Sequence, residues 1–147
     1  MKKLIIIIFA ALLLPAQEIL TESNRTLLDE IIETANLEHD EKLVIVFFNP
    51  GECVNCYIKT YMAIECLLEK SKKIKFMGAV KCDRDIELKA FKRTNSWEFP
   101  YMRDKKIREA FGIDRDNNLA VINYSGRYLG GFKFLEDDLC DKILKCK

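Results

Sequence analysis

Leu43-Val44-Ile45-Val46-Phe47-Phe48 runs without a polar residue into Asn49-Pro50-Gly51-Glu52 and then into Cys53-Val54-Asn55-Cys56. An apolar run of this length, rich in Val, Ile and Phe and lacking alternation, predicts a strand buried on both faces of a sheet. A helix-like stretch follows, so the paired cysteines open a helix behind a central strand. A helix N-terminus has unpaired amide donors and the positive end of the dipole, which makes a cysteine in its first turn easier to ionise. The thiolate is the form that attacks disulfides, and a two-residue spacer lets the pair cycle between dithiol and disulfide.

Ahead of this run, Thr21 or Ser23 is a candidate cap for a first amphipathic helix over Asn24 to Leu37, with Leu27, Leu28, Ile31, Ile32 and Ala35 at helical spacing. Beyond the cysteines, Met62, Ala63, Cys66, Leu67 and Leu68 read as one helical face, and Ile74 to Val80 as the next strand. Strand, helix, strand in this order predicts a right-handed βαβ unit. Ile86, Leu88, Ala90 and Phe91 suggest a short helix, and Phe99-Pro100 marks a boundary with no strand pattern after it. Asp104 is placed to cap a helix carrying Ile107, Ala110 and Phe111, with Gly112 as its stop. Leu119 to Asn123 and Tyr128 to Phe134 read as a hairpin around Ser125-Gly126, and Leu135, Leu139, Ile143 and Leu144 as a final helix.

The 147 residues suit one domain. Net charge is +1 with basic and acidic residues interleaved, so nothing electrostatic favours nucleic acid or an anionic membrane. Met1-Lys2-Lys3, the apolar run Leu4 to Leu14 and then Pro15-Ala16-Gln17 have the form of an export signal, with cleavage expected after Ala16. The apolar core is shorter than the roughly 20 residues of a spanning helix, so no stable membrane insertion is expected after cleavage. The expectation is a signal peptide over 1–16, a folded domain over 17–147 and a periplasmic or secreted location.

In that setting disulfides persist. Cys140 and Cys146 sit on one predicted helix, where six residues at about 1.5 Å rise separate their Cα atoms by about 9 Å, beyond disulfide reach. Cys66 and Cys82 stand in apolar surroundings and read as buried thiols.

With these elements in order, the chain resembles the thioredoxin superfamily from about Leu43 to Leu144, and within it the exported thiol-disulfide interchange and peroxiredoxin-like branch. Phe99-Pro100-Tyr101-Met102-Arg103-Asp104, with Ala110-Phe111-Gly112-Ile113, is similar to that branch's segment ahead of its third core strand, and Val121-Ile122-Asn123 with Ser125-Gly126-Arg127 to its hairpin. The resemblance implies a three-layer α/β/α sandwich with a mixed central sheet. It also implies Cys53 and Cys56 as the catalytic pair, no dissociable cofactor or metal, protein thiols or disulfides as substrates, and a second dithiol protein as redox partner.

Three departures stand out. Asn117 occupies the slot where the family places a cis-proline that helps dock substrate, and a trans peptide is the expectation there. Glu52 replaces the usual aromatic residue before the first cysteine, and its negative charge opposes thiolate formation. Phe47 stands where many members carry a buried acid. Asn117 and Glu52 remain candidate substrate contacts, whereas Asn118 reads as a turn former.

Redox exchange is therefore weighed against a non-catalytic binding module with a static Cys53–Cys56 bridge. Zinc requires four ligands, usually including a second close pair, and the sole His39 lies in the polar loop His39-Asp40-Glu41. A thiol peroxidase is less well supported. In its Pro-x-x-x-Thr-x-x-Cys frame, Pro50 precedes Cys56 by one residue too few and Cys53 takes the threonine place. Trp97, Phe99 and Tyr101 either close the core or line a substrate groove.

Overall fold

A computed structural model describes residues 21–49, 58–94 and 98–147. The expected export signal, Glu52, Cys53, Cys56 and Trp97 lie outside the described residues. Among those described, no helix is long and apolar enough to cross a membrane.

The elements follow the order α1 (Glu22–Ala35), β1 (Lys42–Phe48), α2 (Ile58–Lys70), β2 (Ile74–Val80), α3 (Asp85–Thr94), β3 (Tyr101–Arg103), α4 (Ile107–Ala110), β4 (Leu119–Asn123), β5 (Tyr128–Phe132) and α5 (Leu139–Lys145). Five strands form one mixed sheet in the order β3-β2-β1-β4-β5. β1 pairs parallel with β2 and antiparallel with β4. Lying at the centre, it has every residue from Leu43 to Phe48 buried, which is why its sequence shows no alternation.

Successive side chains leave β1 on opposite faces and build two cores. Val44, Val46 and Phe48 pack with Ile64 and Leu67 of α2 and Ile143 of α5. Leu43, Ile45 and Phe47 pack with Leu28 and Ile31 of α1 and Ile107 of α4. Helices on both faces of a mixed sheet form the expected three-layer α/β/α sandwich.

The local chemistry at the element ends follows the residues. Thr21 caps α1, its hydroxyl accepting from the Asn24 amide at 3.3 Å, and Asn36 closes the helix in the left-handed region. Asp104 accepts from the Ile107 amide at 3.2 Å and so caps α4 from two residues ahead of its left-handed Lys106. Gly126, at φ +80°, turns the β4–β5 hairpin.

Four expectations need correction. β3 follows Pro100 directly, although no strand pattern is visible there. It is a three-residue edge strand, too short to show a period, paired with Gly78 to Val80. The buried face of α2 is Thr60, Ala63, Ile64 and Leu67, with Met62 and Leu68 exposed, because residues 62 to 68 turn through more than one helical face. Leu135 is exposed ahead of α5 and does not belong to it. Cys66, read as a thiol, forms a disulfide with Cys140 at a Cα–Cα distance of 6.1 Å.

Candidate functional site

The C-terminal end of β1 is held from both sides. The Phe47 amide donates to the Asn118 carbonyl at 2.8 Å, and the Lys81 amide donates to the Phe48 carbonyl at 2.9 Å. Asn118 thus lies at a bend that hydrogen bonds hold to the sheet on both sides. Its own amide donates to the Phe132 carbonyl at 2.8 Å, and its side-chain oxygen accepts from the Phe134 amide at 3.3 Å. The turn lies just before it, closed by the Asn117 amide donating to the Asp114 carbonyl at 3.2 Å.

Asn117 itself is turned toward β5. Its Nδ2 donates to the Tyr128 hydroxyl at 3.1 Å, and its carbonyl accepts from Arg108 Nη1 at 2.5 Å. Gly131 makes room for this arrangement, since a Cβ there would come within 2.1 Å of Asn117 Nδ2. No peptide bond among the described residues is cis. Phe47, where the family's buried acid would stand, is 4% exposed and carries the Arg108 guanidinium 3.8 Å above its ring. Arg108 was not among the residues singled out from the sequence, because nothing in a short helix of mixed polarity announces which carbonyls it reaches.

On the other side of the Cys53–Cys56 stretch the chain is described again from α2. Thr60 is fully buried. Ile58 and Met62, one turn apart, are 53% and 64% exposed. Lys59 ties this end of α2 to the approach to α5, its ammonium 2.7 Å from Asp137 and 3.2 Å from the Leu135 carbonyl.

Further along the same helix, the Cys66–Cys140 disulfide fastens α2 to α5. Two half-buried free thiols remain among the described residues, Cys82 and Cys146. Cys82 follows β2 by two residues, next to the Lys81 amide that bonds β1, and burial pushes its thiol up, with Arg103 opposing and the carboxylates of Glu87, Asp83 and Asp85 adding to the rise. Burial likewise raises Cys146, whose sulfur lies against Gly130. His39 is exposed, its ring 5.2 Å from that of Tyr124.

Tyr101 is buried in an aromatic cluster, with ring centroids 5.2 Å from Phe99, 5.6 Å from Phe91 and 6.1 Å from Phe48. It closes the core, whereas Phe99 is only half buried and borders a groove.

No protein-family model matches this chain, and no curated protein matches it in sequence. Solved structures do. A putative thioredoxin from Neisseria meningitidis is similar at 19% identity and a TM-score of 0.56 over 74% of this chain and 75% of its own. The thioredoxin domain of a thiol-disulfide oxidoreductase from Bacteroides vulgatus is similar at 17% identity and 0.54, over 73% and 79%. A thiol:disulfide interchange protein from Bacteroides sp. gives 17% identity and 0.51, over 73% of each chain. Together with the mixed five-stranded sheet, these likenesses show a thioredoxin-like α/β fold.

Proposed function

We propose that this chain is an exported thiol-disulfide oxidoreductase that exchanges disulfides with protein substrates through Cys53 and Cys56. The observation that carries the reading is the position of Cys53-Val54-Asn55-Cys56 in the chain. They fall between the buried central strand and α2, in a fold shared with proteins described as thiol-disulfide oxidoreductases. The Cys66–Cys140 disulfide supports an oxidising compartment, consistent with an export signal over residues 1–16 and a domain over 17–147.

In the reducing direction, the Cys53 thiolate attacks one sulfur of a substrate disulfide and expels the other as a thiolate. The Cys56 thiolate then attacks Cys53 in the mixed disulfide, releasing the second substrate thiol and leaving Cys53–Cys56 oxidised. Two electrons pass to the substrate, and a partner dithiol protein returns them by the same exchange. Glu52 tempers the ionisation of Cys53 by like charge, and Glu52 and Asn117 are the residues assigned to substrate contact.

The test is insulin reduction by the domain from Gln17 onward. Turnover is expected for the parent protein and for a Cys66→Ser/Cys140→Ser variant, and is lost in Cys53→Ser. Equal rates for the parent and Cys53→Ser overturn the proposal.

A further inference from the structure

Two Asn-x-Ser/Thr triplets without a central proline occur in the chain, Asn24-Arg25-Thr26 and Asn123-Tyr124-Ser125. In an exported polypeptide such a triplet is an acceptor for N-linked saccharide when it lies on a surface turn. The structure places the two in opposite surroundings.

Asn24 lies in the first turn of α1, and its side chain is already in use. Its Nδ2 donates to the Ala110 carbonyl at 3.1 Å, while the Thr26 hydroxyl donates to the Glu22 carbonyl at 3.1 Å. Asparagine and hydroxyl are thus committed to different partners, and a saccharide on Nδ2 would compete with α4 for space.

Asn123 ends β4, and Ser125 stands in the turn to β5. The Asn123 side-chain oxygen accepts from the Ser125 hydroxyl at 2.8 Å and from the Arg127 amide at 2.9 Å, and the Gly126 amide donates to the Asn123 carbonyl at 3.0 Å. First and third residues of the triplet are therefore joined to each other, with Nδ2 left outside the bonds that hold the turn. Donors on an amide oxygen stabilise the form that has lost a proton from nitrogen, so both bonds favour reaction at Nδ2. Tyr124 packs against the α1-side core with its ring 5.2 Å from that of His39, and Ser125 is exposed. The middle residue anchors the triplet while the outer two meet solvent.

We propose that Asn123 is a site of N-linked glycosylation, taking its saccharide from a lipid-pyrophosphate donor. A bond forms between Asn123 Nδ2 and the anomeric carbon of the donor as the bond from that carbon to the pyrophosphate oxygen breaks. The pyrophosphate leaves with the electron pair, and the Nδ2 proton passes to a base of the transferase. Asn123 pairs with Lys42 at the start of β1, whereas the dithiol motif follows Phe48 at its end, about 20 Å along the strand. A saccharide here leaves thiol exchange untouched. The proposal rests on the export reading, and the experiment separates the two.

The chain is produced in cells that carry an N-oligosaccharyltransferase and its lipid-linked saccharide, once in full and once as the domain from Gln17 onward behind the signal of a secreted carrier. Exported protein is mapped by peptide mass before and after release of the saccharide by an amidase, which leaves an aspartate at the modified position. Both forms are expected to carry the saccharide on Asn123. Asn123→Gln and Ser125→Ala lose it, Ser125→Thr keeps it, and insulin reduction is the same in all of them.

An unmodified Asn123 in the carrier-exported form, in cells that glycosylate a control acceptor, overturns the proposal. So does a saccharide found on Asn24 alone, or retention of the mass increment in Ser125→Ala. A full chain that stays unprocessed while the carrier-exported form is glycosylated at Asn123 upholds the acceptor and overturns the export reading instead.

Discussion

The Arg108 guanidinium stacks 3.8 Å above the ring of Phe47, and its Nη1 bonds the carbonyls of Asp114 and Asn117. One side chain thus ties α4 to the underside of the central strand and to the turn that feeds β4. Arg108→Ala is expected to cost about 2 kcal/mol, from the lost cation–π contact and the uncompensated carbonyls. Arg108→Lys recovers less than half of this, because a point charge neither stacks flat nor reaches two carbonyls in one plane. Urea unfolding of the three proteins checks the order.

Joining Cys66 to Cys140 closes a loop of 74 residues, for which chain entropy gives a stabilisation of about 4 kcal/mol. Cys66→Ser/Cys140→Ser is expected to lower the urea midpoint accordingly. Reduction of a Cys53→Ser/Cys56→Ser protein lowers its midpoint by the same amount. The comparison separates the staple's contribution from that of Cys53 and Cys56, whose replacement leaves this shift in place.

Burial raises the thiols of Cys82 and Cys146, so both stay neutral in the folded chain at pH values where an unfolded cysteine begins to ionise. The sign follows from linkage. Their contribution to stability is fully present below the ordinary thiol pKa and is lost as the pH rises through the raised folded values. Alkylation by iodoacetamide, read by mass mapping, is expected to be slower at both positions than at a free cysteine at pH 8, and to accelerate with pH. A Cys82 that alkylates faster than free cysteine at pH 7 contradicts this burial.

Gly78 lies under the ring of Tyr101, and a Cβ there would come within 2.2 Å of the ring. Gly78→Ala is expected to cost about 3 kcal/mol through displacement of Tyr101 and β3. The same ring offers an opposite test. The Tyr101 hydroxyl is buried without a hydrogen-bond partner among the described residues, and burial raises its pKa far above the ordinary range. Tyr101→Phe removes an unsatisfied group and is expected to stabilise by about 1 kcal/mol. Thermal unfolding of the two variants gives shifts of opposite sign.

How much was legible in the residues varied with the range of the interactions involved. β2 runs from Ile74 to Val80 and β4 from Leu119 to Asn123, as their apolar runs indicate, and Thr21 and Asp104 act as caps, because strand burial and capping depend on neighbours a few positions away. β3 escaped notice because a strand of three residues carries no period. Asn118 lies at a bend, in keeping with its reading as a turn former, but its hydrogen bonds to Phe47 and Phe132 are made with partners more than ten residues away and could not be read locally.

A buried central strand, a paired-cysteine motif behind it and the α/β alternation that makes a layered sheet could be read from the residues, since each of these is written in local apolar pattern and spacing. That Cys66 meets Cys140 and that Arg108 covers Phe47 was settled by the folded arrangement. Those outcomes depend on which elements the folded chain brings side by side, and residues dozens of positions apart leave no mark on one another's local sequence.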